Sequence, residues 1–191
     1  MNPNQLTPRE RDNLLVFARR SIEAAVAHTT LPRFPSDELT EALREKGAAF
    51  VTLTIDGDLR GCIGALEAYQ PLVDDVQEHA VAAALEDYRF LPVSPGELPE
   101  LSIEISRLTQ PQVLEYSNPK DLPGLLRPGV DGVILKDGMH RATFLPQVWE
   151  KIPEPEDFLS ELCSKMGAAW NLWLTKKLQV LIYQVEEFHE Q

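Results

Sequence analysis

The spacing of apolar positions changes period several times along the chain, and each change marks an element. Leu14, Leu15, Phe17, Ala18, Ile22, Ala25 and Val26 recur at helical spacing and predict a helix over 7–28 with one buried face. Its start is written in Thr7-Pro8-Arg9-Glu10, a capping-box pattern with proline at the first helical position. Leu31-Pro32-Arg33-Phe34-Pro35 cannot extend the helix, because proline lacks an N–H and restricts the residue before it. A short helix over about 36–46 is expected next, with Gly47 as its stop. The pattern then becomes extended. Ala48–Ile55 is rich in β-branched and aromatic residues, Asp56-Gly57 is a two-residue hairpin turn, and Asp58–Leu66 is the return strand.

Pro71 opens a second long helix to about Tyr88, with Leu72, Val73, Val76, Ala80, Ala83 and Ala84 facing inward. Three prolines and a glycine make 91–99 a loop, and Leu101–Ser106 alternates as a strand with one wet face. Beyond Pro111 the elements shorten. Val113-Leu114-Glu115 reads as a strand and Asn118–Leu126 as a short helical segment. Asp131–Lys136 and Arg141–Leu145 form a second hairpin about Asp137-Gly138-Met139-His140. Glu156–Met166 is an amphipathic helix, and Leu178–Val185 the last strand. Strands that arrive as hairpins, with helices between them, imply an α+β fold with mainly antiparallel sheets. The smaller elements over about 111–150 are expected to form a lobe inserted into a larger one, about 1–110 and 151–191.

Composition narrows the function classes. The 191 residues carry 18 Lys+Arg against 30 Asp+Glu, a formal net charge of −12, which argues against nucleic-acid backbone binding. No apolar run approaches the roughly 18 residues of a membrane span. Met1–Gln5 lacks the basic and apolar regions of a secretion signal. Two cysteines, Cys62 and Cys163, make no disulfide framework, which fits a reducing cytoplasm. Cys163 lies on the inward stripe of its helix and is expected to be core. His28, His79, His140 and His189 show no metal-ligand spacing, so no metal site is expected. There is no phosphate loop, dinucleotide fingerprint or serine elbow, and no cofactor is expected.

Candidate chemistry concentrates in Arg60-Gly61-Cys62-Ile63-Gly64. Two glycines in a strand suggest a bulge or a close backbone approach. Residues two apart share a face, which sets Arg60 and Cys62 roughly 7 Å apart at about 3.3 Å per residue. A cation there favours thiolate, and Gly64 would leave room on that face for a ligand. The opposing reading is a buried cysteine. A two-residue turn at Asp56-Gly57 places Cys62 opposite Val51 and Arg60 opposite Leu53, on the apolar face. A three-residue loop would set Cys62 beside Thr52 instead. Arg89, at the end of a predicted helix, has a bland reading as a partner of the last carbonyls.

Leu59–Gly64, followed by Pro71-Leu72, Asp87-Tyr88-Arg89-Phe90 and Thr143-Phe144-Leu145-Pro146-Gln147-Val148, resembles the AMMECR family, whose bacterial members are also called AmmeMemoRadiSam system protein A. The resemblance runs from about residue 12 to 188 and implies a two-lobed α+β fold with shared residues gathered around the signature strand. It also implies association with Memo-family proteins and radical S-adenosylmethionine enzymes. It brings no settled reaction. Tyr88 stands where the family often has proline, and His140 where the residue varies, so neither receives a role.

Two functions remain open at this point. In one, Cys62 is a nucleophile or thiol carrier and Arg60 stabilises its thiolate or an anionic substrate. In the other, the chain is an accessory module that binds a small molecule or a protein partner, with Gly61, Gly64, Arg89, Thr143 and Gln147 as ligand-binding candidates. A third, plainer reading makes the signature a folding requirement, its glycines allowing close packing.

Overall fold

The computed structural model describes residues 5–190. In chain order the regular elements are α1 (Pro8–Val26), α2 (Glu41–Arg44), β1 (Lys46–Ile55), β2 (Asp58–Gly64), β3 (Gln70–Pro71), α3 (Leu72–Leu85), β4 (Leu101–Leu108), β5 (Gln112–Val113), α4 (Leu122–Leu125), β6 (Gly132–Asp137), β7 (His140–Phe144), α5 (Pro155–Lys165), α6 (Leu172–Thr175), β8 (Gln179–Tyr183) and β9 (Val185–His189). Strand β1 pairs antiparallel with β2, β3 and β4, β6 with β7 and β8, and β5 with β8, and the fold is α+β.

The chain divides into two compact units. One takes the described residues through Thr109 together with those from Glu186 on, and the other is Gln110–Val185. This moves the expected end of the smaller lobe from 150 to 185. The reason lies in packing: Phe158, Leu159, Leu162 and Cys163 of α5 enter the same core as Val133, Leu135 and Trp149, and β8 pairs with β6.

In the first unit the sheet runs β2-β1-β4-β9, with the short β3 also on β1. Ala49, Val51 and Leu53 of β1 and Ile103 and Ile105 of β4 point to one face, where α1 and α3 cover them. Each fully buried Val, Leu or Ile among them contributes about 1.5–3 kcal/mol. The capping box forms as the sequence implies. Thr7 Oγ1 accepts the Glu10 N–H at 3.3 Å, and Glu10 Oε2 accepts the Thr7 N–H at 2.7 Å. The second helix is shorter than expected, because Gly47 is a strand residue paired with Gln70 rather than a stop. A Cβ at Gly47 would fall 2.7 Å from Leu72 Cβ, so the residue marks a close strand–helix approach.

Polar groups enter this core only with partners. Just past β2 the Ala65 N–H still donates to the Ala49 carbonyl at 3.2 Å, but the Ala49 N–H finds its acceptor in Asp75 Oδ2 of α3, at 2.8 Å. His79, one turn on, holds the same oxygen with Nδ1 at 3.1 Å. Neither was singled out by periodicity, although Asp and His four apart on an inward face was the available signal.

In the second unit the sheet order is β5-β8-β6-β7. Trp149 stacks on Phe158 with ring centroids 3.7 Å apart, and its Nε1–H donates to the Asp131 carbonyl at 2.7 Å. The Asp131 side chain is fully buried and is held by Arg127 and Gln184. Among the described residues no helix is long and apolar enough to cross a membrane.

Candidate functional site

The site begins with a turn. Asp56 (φ 52°) and Gly57 (φ 86°) both adopt left-handed backbone, the type I′ geometry that matches strand twist. Ile55 pairs with Asp58 and Thr54 with Leu59, so the loop has two residues. The register then shifts: Leu53 pairs with Gly61 and Thr52 with Cys62, which leaves Arg60 as the extra residue of a β-bulge. Neither simple register survives. The turn is the short one, yet Cys62 stands beside Thr52, because the bulge moves the strand by one residue.

That single step decides the face. Gly61 opposite Leu53 lies against α3, where a Cβ would collide with the Ala83 carbonyl oxygen. Cys62 therefore faces away from the α1–α3 core and is half-buried. Its Sγ accepts a hydrogen bond from Thr52 Oγ1 at 3.4 Å. The room expected at Gly64 is taken, since a Cβ there would strike the Phe50 ring. Arg60 does not serve the thiol. Its Nε donates to Glu97 Oε1 at 2.7 Å and its Nη2 to Glu97 Oε2 at 3.3 Å. Arg60 and the N–H and hydroxyl of Ser94 hold the Glu97 carboxyl down to about 2.

β2 is an edge strand, and the Cys62 N–H and carbonyl point off that edge. Asp87, just past α3, accepts the Cys62 N–H at 2.9 Å, and Arg89 Nη2 donates to the Cys62 carbonyl at 3.2 Å. Asp87 also accepts from Arg89 N–H, Nε and Nη2 at 3.1, 2.9 and 2.6 Å. These bonds, first among them that from the Arg89 side chain, hold the Asp87 carboxyl far below the usual carboxylate range. Arg89 is thus more than a helix-end cation: with Asp87 it occupies the place a neighbouring strand would take, a recognised way to close a sheet edge. Phe90 lies near both guanidiniums, with Arg60 Cζ 5.9 Å and Arg89 Cζ 5.5 Å from its ring centre. Beside this fixed cluster two large side chains stand in solvent: Tyr88 is 94% exposed and Leu91 83%.

The structure therefore gathers Arg60, Gly61, Cys62, Gly64 and Arg89 in the first unit. Thr143 and Gln147 belong to the second. Thr143 Oγ1 lies 3.1 Å from the Tyr183 hydroxyl, its carbonyl accepts from Lys165 Nζ at 2.9 Å, and Gln147 sits in the 3-10 turn Pro146–Glu150. Sequence reasoning gave no role to Glu97, set Asp87 only within a motif of the family resemblance, and placed Thr52 beside Cys62 only through a three-residue loop. The one signal for Asp87 was its place two residues before Arg89 at a helix end, the spacing of a local Asp–Arg clamp. Among the described residues no three His, Cys, Asp or Glu side chains are grouped to hold a metal ion.

Comparison with known proteins agrees with this fold. A family model described as AMMECR1 matches residues 15–188. A protein of Methanothermobacter thermautotrophicus is 39% identical over 191 residues, covering 96% of this chain and 97% of its own. One from Thermococcus kodakarensis is 37% identical, covering 93% and 89% respectively. The crystal structure of an uncharacterised protein from Pyrococcus horikoshii superposes with a TM-score of 0.75 at 33% identity, covering 97% of this chain and 94% of that one.

Proposed function

The chain belongs to the AMMECR1 family, and we propose that within it the chain acts as an accessory module whose 87–91 segment docks a protein partner. The observation that carries this reading is the exposure of Tyr88 and Leu91, 94% and 83%, on a segment fixed by Asp87 and Arg89. Large side chains held out by a rigid frame lose little freedom on binding and make effective anchors. The two arginines nearby are already neutralised by Glu97 and Asp87, so the surface suits an apolar contact more than an anionic ligand. The partner class follows from the family's association with Memo-family proteins and radical S-adenosylmethionine enzymes.

The thiol-enzyme reading has less support. Among the described residues the hydrogen-bond partner of Cys62 Sγ is a threonine, and Arg60 is engaged elsewhere. His79 projects from α3, on the opposite side of the sheet from the thiol, so it cannot serve as its base. The test is calorimetric titration of the Memo-family and radical-enzyme proteins from the same organism into this chain. Binding that survives Cys62→Ser and fails in Tyr88→Ser/Leu91→Ser supports docking. Binding indifferent to Tyr88 and Leu91 refutes it.

A further inference from the structure

Most arginines of the first unit are held by carboxylates: Arg19 by Glu190, Arg60 by Glu97, Arg89 by Asp87, and Arg11 and Arg107 by Glu186. Arg20 and Arg33 differ. As with Arg44, neither side chain makes an ion pair or a hydrogen bond among the described residues, in a chain whose 30 acidic side chains outnumber its 18 basic ones. Both line one cavity of about 230 Å³ between α1 and the segment that follows it.

The walls of this cavity are preset. Gln77 Nε2 donates to the Pro32 carbonyl at 2.9 Å and anchors the segment to α3. Phe34 packs edge-on against Phe17 of α1, centroids 5.0 Å apart, and Pro32 and Pro35 restrict the backbone on either side of Arg33-Phe34. Arg20 stands on α1 one turn beyond Val16, an apolar lining side chain that is 49% exposed. Glu38 also lines the cavity, and Arg9 Nη2 lies 3.8 Å from it and offsets its charge.

The two guanidiniums outweigh Glu38, which is itself paired with Arg9, so the cavity keeps a net positive charge that an anion matches while using the arginines' forked donors. The apolar wall beside them would take a hydrocarbon or aromatic body. The volume is below the roughly 300–1,000 Å³ of sites for drug-sized ligands, which limits the occupant to a small molecule. We infer that this cavity is a binding site for a small phosphate monoester with an apolar body. It shares no residue with the docking segment and stands or falls separately from it.

The experiment uses phenyl phosphate, inorganic phosphate and phenol as probes, followed by 1H–15N spectra of the arginine Nε–H groups and backbone. Phenyl phosphate is expected to shift Arg20, Arg33 and Phe34 and to bind at least about tenfold tighter than either inorganic phosphate or phenol, a ratio set by one further favourable contact. Arg20→Ala and Arg33→Ala should each weaken it at least about fivefold. Both side chains are exposed, so thermal unfolding of the variants should match the parent and separate lost binding from lost folding. No shift at about 10 mM probe, a weaker limit than any specific site of this kind, overturns the site. Unchanged affinity in both variants overturns the roles of the arginines, and equal affinity for inorganic phosphate overturns the monoester assignment.

Discussion

The Asp87 carboxylate accepts the backbone N–H of Cys62 at 2.9 Å, joining the end of α3 to the edge of β2. Arg89 completes the join by donating to both Asp87 and the Cys62 carbonyl. The signature strand is thereby closed against further pairing, and the segment carrying Tyr88 and Leu91 is fixed to it.

Loss of the Asp87 carboxylate leaves the Cys62 N–H without its acceptor and Arg89 without its counter-charge. Asp87→Ala is expected to lower Tm by roughly 5 °C. Asp87→Asn keeps one acceptor oxygen and should lose less. Calorimetric scans of the two variants check the order: equal loss would contradict the part of the retained acceptor, and no loss in Asp87→Asn would contradict the charge's part.

The two signature glycines are demanded by packing. Gly61→Ala would drive a Cβ into the Ala83 carbonyl, a backbone atom that cannot swing aside, and overpacking of this kind costs about 1–3 kcal/mol. Gly57→Ala meets no atom within 4 Å and is penalised only by its φ of 86°, about 1 kcal/mol. Urea midpoints should therefore fall further for Gly61→Ala than for Gly57→Ala.

Much of this was legible in the sequence, and its limits have physical causes. The Thr7–Glu10 capping box and the Asp56-Gly57 turn are local, so their residues suffice to specify them. The partner of Cys62 depends on a bulge at Arg60, which the hydrophobic pattern does not record, since one extra residue reverses the face without changing composition. The apolar stripe of α5 shows that Phe158 and Leu162 are buried but not in which core, and the lobe boundary moved accordingly. The sequence pattern does not show β9, because Val185–His189 carries two glutamates in a row, and Glu186 is buried against Arg11, Arg107 and the Leu6 N–H.

Two carboxylate pairs give the stability curve opposite slopes at its two ends. Burial alone would lower the His79 imidazole, but the hydrogen bond and charge of Asp75, with Glu78 adding, outweigh it and raise the folded value above 6.5. A group raised on folding contributes fully below its unfolded value, and that contribution fades as pH rises through the folded one. Stability should thus decline above pH 6.5, and His79→Gln should flatten that decline. Glu97 acts in the other sense. Lowered by Arg60 and Ser94 from 4.5 to about 2, it contributes above 4.5 and loses that contribution as pH falls toward 2. Denaturant titrations across both ranges test the two signs, and a His79→Gln curve as steep as the parent's would refute the first.

Cys62→Ser retains a group able to accept the Thr52 hydroxyl and keeps the backbone bonds to Asp87 and Arg89. It should fold with a Tm within about 2 °C of the parent, the size of a surface-like change. A large loss would mean that the thiol supports the sheet in a way these contacts do not describe.

The most direct test of partner docking is the affinity of the Memo-family protein for the parent chain, for Cys62→Ser and for Tyr88→Ser/Leu91→Ser. Removing two exposed anchors should weaken binding by about thirtyfold or more, the usual cost of losing a hot spot, while Cys62→Ser leaves it within about twofold. Binding lost in Cys62→Ser but intact in the double variant would contradict the account and return the thiol to the centre of the function.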